Sequence, residues 1–309
     1  MAPSRQSNPN GSSRAFSLQY RLAPYLFLSP FLVTFVVFGL YPILKSAVLS
    51  LYATNGPRSQ VFIGTSNYRF LLTDPDFHTA VWNTLVYAFW SVFLQLPLAL
   101  GLALLLQQKW VRGRGLLRLA FFTPNLVGQA FVAVLFGILY VPQYGLVNRA
   151  LNATMHTPLD TKWLAEPGLV MPALVIASLW MYVGFNMIYF LAALQAVDQE
   201  LYEAAWMDGA NAWHQFRAVT LPGIRPVAVF VLVTATIGSF QLYELPYIML
   251  QGAGPKNAGL TIVMYLYQNG FVTGDLGLAS AIGWTLALGV LVLSLFQLRV
   301  TGAWKGDAA

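Results

Sequence analysis

Glu203-Ala204-Ala205-Trp206-Met207-Asp208-Gly209, nine further residues, then Val219-Thr220-Leu221-Pro222: this polar stretch separates two apolar runs, each long enough to cross a bilayer. It is the most acidic part of the chain, with Asp198, Glu200, Glu203 and Asp208 close together. Asp198 suits an N-cap, and Glu200 and Glu203 fall in the first turns, where the helix dipole favours negative charge. Ala204 and Ala205 are strong helix formers and small enough for close approach. Asp208-Gly209 is a stop and turn signal, because Gly adopts the left-handed conformation at low cost. A second short helix is expected from about Ala210 to Val219, with Pro222 and Pro226 preventing its smooth continuation. Leu201, Ala205, Trp213 and Phe216 supply an apolar side and the carboxylates a polar one. The segment reads as a helix-turn-helix on a membrane surface, shaped to dock a partner.

Composition agrees with a membrane setting. Of 309 residues, 57% are hydrophobic and 9% charged, and the mean hydropathy is +0.61. Soluble domains carry about 25% charged residues. Cys is absent, which excludes disulfides and cysteine metal sites, and His78, His156 and His214 are too widely spaced for a metal pattern. The net charge of +6 fits basic loops facing anionic lipid rather than nucleic acid.

The expected fold is an all-α membrane protein with six transmembrane helices, at about 22–51, 80–107, 119–141, 169–194, 227–250 and 278–298. Residues 1–21 read as a mobile polar tail and 300–309 as a second tail, flanking a transmembrane domain over 22–299 with its connecting loop at 198–222. The apolar run after Arg21 is too long for a signal core and lacks a small-x-small cleavage site. Pro24, Pro30 and Pro42 fall at or near the ends of the first span. Residues 52–79 and 142–168 read as turn-rich external segments. Pro124 beside Asn125 in the third span suggests a kink whose freed backbone groups are satisfied by protein.

Orientation follows from basic residues. With both termini inside, the inner segments hold Arg5, Arg14, Arg21, Lys109, Arg112, Arg114, Arg118, Arg217, Arg225, Arg299 and Lys305. The outer ones hold only Lys45, Arg58, Arg69, Arg149, Lys162 and Lys256. This bias puts both termini and the acidic helix-turn-helix in the cytoplasm.

No Walker A sequence, Gly-x-Ser-x-Gly elbow or His-Glu-x-x-His motif occurs, so neither ATP hydrolysis nor another enzyme activity has residues to rest on. A transport path needs polar groups instead. Glu244, in Phe240-Gln241-Leu242-Tyr243-Glu244-Leu245-Pro246-Tyr247, is the sharpest candidate. A carboxylate near the bilayer centre costs roughly 2.5–3.5 kcal/mol, so it should face protein or a watery cavity. Gln241 and Glu244, three apart, would share one helix face. Carboxylate, amide and the Tyr243 ring together suit a sugar. The other reading of Glu244, an outer-interface residue or a partner for a neighbouring helix, stays open. Asn83, Gln95, Tyr182 and Asn186 are further path candidates, although intramembrane amides more often join helices.

The spacing Glu203, Ala204, Ala205, Gly209, Val219, Leu221 and Pro222 resembles the cytoplasmic loop signature of permease subunits in binding-protein-dependent ABC importers, with a MetI-like transmembrane domain. Phe240, Gln241, Tyr243, Glu244, Tyr247, Gly252, Gly254 and Pro255, followed by Thr261, Tyr265, Tyr267 and Phe271, resemble the fifth span and outer loop of the maltose-type, carbohydrate-uptake branch. That branch often has Asp where Glu244 stands and Gly-Gly-Pro where Gly252-Ala253-Gly254-Pro255 stands. The resemblance implies a second permease subunit, two ATPase subunits holding ATP and Mg, an external solute-binding protein, and a sugar or polyol as solute. This chain itself would hold no cofactor. The resemblance also makes Glu203 and Gly209 the docking residues for the ATPase, with Ala204, Ala205, Leu221 and Pro222 completing the coupling loop. Two rivals remain: a stand-alone proton-coupled carrier using Glu244, and a membrane enzyme or assembly factor, which would need a reactive constellation.

Overall fold

The structure, a computed structural model, describes residues 10–56, 59–108, 110–155 and 160–302, with backbone alone for 10–22. The outermost parts of both expected tails lie outside these residues, as do Arg5, Arg58, Lys109, His156 and Lys305. In chain order the elements are α1 (Asn10–Phe35), α2 (Tyr41–Leu49), β1 (Tyr52–Thr54), β2 (Gln60–Phe62), α3 (Ser66–Thr73), α4 (Pro75–Gln107), α5 (Arg114–Val127), α6 (Gln129–Leu139), α7 (Leu146–Met155) and α8 (Pro167–Ala196). After these come α9 (Gln199–Met207), α10 (Ala212–Gln215), α11 (Leu221–Phe240), α12 (Glu244–Met249), α13 (Ile262–Tyr267) and α14 (Leu276–Val300).

Five helical stretches among the described residues are long and apolar enough to cross a membrane: Ala23–Leu49, Pro75–Gln107, Pro167–Ala196, Ala212–Phe240 and Leu276–Val300. The third expected span, 119–141, is a bent pair. Helices α5 and α6 meet at 101°, and the bend falls at Gly128, whose φ of 85° is left-handed backbone. Pro124, expected to mark the kink, sits buried inside α5. The proline restrains the helix, but it is the glycine that permits the corner.

Proline plays an unexpected part twice more. Pro24 and Pro30 both lie inside α1, Pro24 at the start of the span Ala23–Leu49, as expected, and Pro30 two turns into it. That helix begins at Asn10, so much of the expected mobile tail is helical. Pro222 and Pro226 do not interrupt the chain: α10 runs into α11 through a π-helical turn, Phe216–Thr220, in which the Leu221 N–H bonds the Phe216 carbonyl. The same device, Val36–Leu40, precedes Tyr41-Pro42. A proline inside an α-helix clashes with the carbonyl four residues back. The wider π turn displaces that carbonyl, so the helix continues.

The core pairs α4 with α8, both mostly apolar with a few buried polar residues, and packed along their lengths. Gly184 of α8 lies so close to α5 that an added Cβ would sit 1.8 Å from the Phe121 carbonyl oxygen. Three buried clusters result. One surrounds Tyr87, Phe136, Leu174 and Leu245. A second, toward the α9–α10 end, surrounds Ala99, Leu106, Met187, Leu194 and Ile224. The third joins Leu71 and Phe77 to Met264 and Ile282.

The segments expected to be loops carry structure. β1 and β2 pair antiparallel, Tyr52 opposite Phe62. Asp275 caps α14 through the Leu278 N–H (3.0 Å) and also accepts from the Thr54 hydroxyl (3.0 Å), fixing this hairpin to the last span. α7 lies within 142–168, where the Asn148 side chain joins Pro142, Thr161 and Trp163. By contrast, no residue in the most apolar window of Ala23–Leu49 is buried in this chain.

Candidate functional site

Two regions stand out: the hairpin of α9 and α10 at one end, and a polar cavity inside the bundle. In the hairpin, Asp198 Oδ1 accepts from the Glu200 N–H at 3.0 Å, as an N-cap should. α9 ends in a double-bonded left-handed stop: the Gly209 N–H bonds Trp206 O (3.0 Å) and the Ala210 N–H bonds Ala205 O (2.9 Å). Gly209 has φ 77°, and no atom lies within 4 Å of where its Cβ would stand. Asn211 caps α10 through the His214 N–H. Glu203, Ala204 and Gly209 are exposed and Ala205 is half-buried. Leu201, Trp206, Met207 and Trp213 present large apolar side chains to the outside. Leu221 and Pro222 are exposed at the start of α11. The Tyr202 hydroxyl meets Thr220 Oγ1 at 3.0 Å, tying α9 to the π turn beneath α11.

The cavity encloses about 140 Å3 between α4, α6, α8 and α11. Its walls include Tyr87, Ser91, Gln95, Gln129, Tyr182, Asn186, Thr234 and Ser239. Phe185, Ala235, Gly238 and Leu242 complete the wall, so the polar groups are set into a largely apolar surface. Along α4, Ser91 and Gln95 fall between Tyr87 of the first core cluster and Ala99 of the second. Some of these groups have partners: the Ser91 hydroxyl meets the Ser178 hydroxyl at 3.5 Å, and the Gln129 amide donates to the Tyr182 hydroxyl. Gln95 and Asn186 are 4% and 5% exposed, yet neither amide has a hydrogen-bond partner among the described residues. Buried amides are almost always paired, so these two are free for a solute or for water.

The other sequence candidates divide. Asn83 does not reach the cavity: its amide donates to the Asn257 and Leu260 carbonyls (2.8 and 3.0 Å), clamping the segment before α13 onto α4. Gln241 and Glu244 do not share a helix face. The fifth span ends at Phe240, Tyr243 is non-helical (φ −145°, ψ −58°), and Glu244 opens the separate helix α12. Both are exposed. Glu244 lies near enough to interact electrostatically with Tyr182 of the cavity and with Tyr243. Burial, then the neighbouring Tyr267, pushes the Tyr243 phenol up to about 12. Burial, then a hydrogen bond to Asp74, raises Tyr265. Both phenols therefore remain neutral donors at ordinary pH.

Sequence reading missed Tyr87, Ser91, Gln129, Thr234 and Ser239. Ser91 and Gln95 are four apart on one helix and would have been visible as a polar pair. Gln129 reaches the site only because the chain turns at Gly128. Among the described residues, no three His, Cys, Asp or Glu gather as a metal-binding group.

An apolar bundle around a polar cavity, with an acidic hairpin exposed at one end, is the build of a multi-pass membrane permease. Residues 11–303 match the family described as "Binding-protein-dependent transport system inner membrane component", and the chain belongs to that family. It is 39% identical over 288 residues to the arabinooligosaccharides transport system permease protein AraP of Bacillus subtilis, covering 93% of this chain and 91% of that one. It is 36% identical to the lactose transport system permease protein LacF of Rhizobium radiobacter (90% and 93% covered). It is 33% identical to the trehalose/maltose transport system permease protein MalF of Thermococcus litoralis (94% and 97%). A chain in the crystal structure of a bacterial ABC transporter involved in import of the acidic polysaccharide alginate superposes with TM-score 0.80 at 25% identity, covering 94% of this chain and 99% of that one. The chain is thus an inner-membrane permease subunit of an ABC importer, and ATP is hydrolysed by a separate partner.

Proposed function

We propose that this subunit lines the translocation path for a neutral sugar or oligosaccharide, delivered by an external binding protein, and couples to its ATPase through Glu203–Pro222. The observation that carries this reading is the cavity. Its walls offer hydroxyls and amides, two of those amides unpaired, and hold no charged side chain. Such a lining matches a polyhydroxylated neutral solute and would leave an ion, phosphate or zwitterion uncompensated. Relatives named for arabinooligosaccharides, lactose and trehalose or maltose support the solute class.

The α9–α10 end faces the cytoplasm in this reading, with both termini, and its exposed apolar residues enter a groove of one ATPase. Two ATPases bind ATP and Mg, and their closure moves α9. The Tyr202–Thr220 contact passes that motion to α11, which walls the cavity. The unburied Ala23–Leu49 span supports a second permease subunit, which would supply the helices this chain lacks around it.

The test is purification from native membrane in mild detergent, with mass spectrometry of the partners, followed by reconstitution. Recovery of an ATPase and a second permease, ATPase loss on Gly209→Trp, and loss of sugar uptake on Asn186→Leu are the expected results. ATP-independent uptake by the chain alone would overturn the reading in favour of a proton-coupled carrier.

A further inference from the structure

The cavity is small. Pockets that bury a drug-sized ligand enclose about 300–1,000 Å3, and this one encloses about 140 Å3. An oligosaccharide cannot lie wholly within it. Leu242 forms part of its wall, and the next residue, Tyr243, begins a ladder of aromatic rings that leaves the cavity. Tyr243 and Tyr247 stack at 5.2 Å between ring centroids. Tyr243 meets Tyr267 at 5.1 Å, and Tyr267 stacks on Phe271 at 5.6 Å, 24° from parallel. Three elements build the ladder: α12, α13 and the π turn that follows α13. Exposure grows along it, from half-buried Tyr243 and Tyr267 to Phe271 at 71%. Tyr247 also meets Tyr267 edge-on, at 5.6 Å between ring centroids, so the three tyrosines contact one another pairwise. Glu244 stands at the junction, interacting with Tyr182 on the cavity side and Tyr243 on the ladder side.

The geometry points to a second, outer sugar subsite on Tyr243, Tyr247, Tyr267 and Phe271, continuous with the cavity, so that the subunit favours solutes of three or more rings over mono- and disaccharides. This rests on the reading of the cavity as a neutral sugar site. Sugar rings present flat C–H faces to aromatic rings, and ring packing of this kind contributes without demanding a particular hydroxyl pattern. The ladder thus selects for length, while the cavity amides and Glu244 select for hydroxyl arrangement at the junction. Here four rings contact one another, with polar Gln241 and Glu244 exposed nearby.

The test uses the full importer in proteoliposomes with its binding protein, and three probe series of one to five rings: arabinooligosaccharides, maltooligosaccharides, and lactose with galactosyl-extended lactose. Wild type and the double variant Tyr247→Ala/Phe271→Ala are compared for ATP-driven uptake. The expected result is a loss of about tenfold or more for three rings and longer, as two stacking contacts imply, and less than about twofold for one and two rings. Tyr247→Phe, which keeps the ring, retains the wild-type length profile. Equal losses at every length mean a structural role and overturn the outer subsite, as does no loss at any length. Failure of the wild-type importer to move any probe, while Asn186→Leu changes nothing, sinks the sugar reading itself and the subsite with it.

Discussion

The α9–α10 hairpin and the polar cavity carry the two halves of the proposed transport function, and they are built in opposite ways. The hairpin is a continuous stretch of chain with its working residues outside. Its turn is closed by local hydrogen bonds around Gly209, and nothing crowds that glycine. The cavity draws on four helices, and its residues lie inside at positions as distant as Tyr87 and Ser239. Local chemistry is enough for a surface that meets a partner. A site that must exclude lipid and hold a hydrated solute has to be enclosed from several directions.

That contrast breaks most sharply at Gly209. A side chain there meets no atom of this subunit, so Gly209→Trp costs only the left-handed strain of about 1–2 kcal/mol locally, and the permease still folds. Docking to the ATPase is lost, at roughly 2–4 kcal/mol for a central contact. ATP-driven uptake should fall by about 100-fold with unchanged detergent melting. Melting lowered to match the uptake loss would make Gly209 a folding residue and remove the contrast.

Asn83→Ala tests the opposite property. It strips the buried Leu260 carbonyl of its side-chain donor and leaves the Asn257 carbonyl with the Leu260 N–H alone, at roughly 1–3 kcal/mol, and should lower the melting temperature without changing apparent affinity for sugar. A selective rise in KM with normal melting would return Asn83 to the path.

Within the cavity, Gln95→Leu and Asn186→Leu remove amides that have no partner in the protein, so melting should hold or improve. Sugar KM should rise about tenfold, the value of one good hydrogen bond to a buried solute, with ATPase recovery in pulldowns unaffected. Loss of the ATPase in these variants would mean that cavity and hairpin are one unit rather than two.

The smallest effect is expected where the regions communicate. Thr220→Val removes the Tyr202 contact, worth about 1 kcal/mol. It should leave both docking and sugar affinity intact while raising the ATP consumed per sugar moved by a few fold. An unchanged ratio would show that motion reaches α11 by another route, such as the close contact between Gly223 and Val197.

Much of this was legible in the sequence. Apolar length gave the spans, because a helix in lipid must satisfy its own backbone and needs only enough apolar residues. Asp198, Gly209 and Asn211 set caps and turn through bonds to neighbours within a few residues, so the hairpin follows from order alone. Tyr182, Gln95 and Asn186 could be picked out as polar groups in apolar surroundings. Their convergence could not, because it depends on the 101° corner at Gly128 and on the closeness that Gly184 allows between α5 and α8.

The clearest failures come from the prolines and from Glu244. Pro222 signals a break by its local clash, yet a π turn one residue upstream absorbs it. Glu244 looks mid-membrane when hydropathy is summed along the chain, but the helix ends at Phe240 and α12 turns to pack on α6. The sequence by itself determined a multi-span membrane protein with an acidic hairpin between two spans, since bilayer length, capping and turn chemistry act over a few residues. Only the tertiary structure decided which polar groups meet, where Glu244 sits and what Asn83 holds. Those outcomes depend on how distant helices pack, and packing distance is not encoded in any one segment.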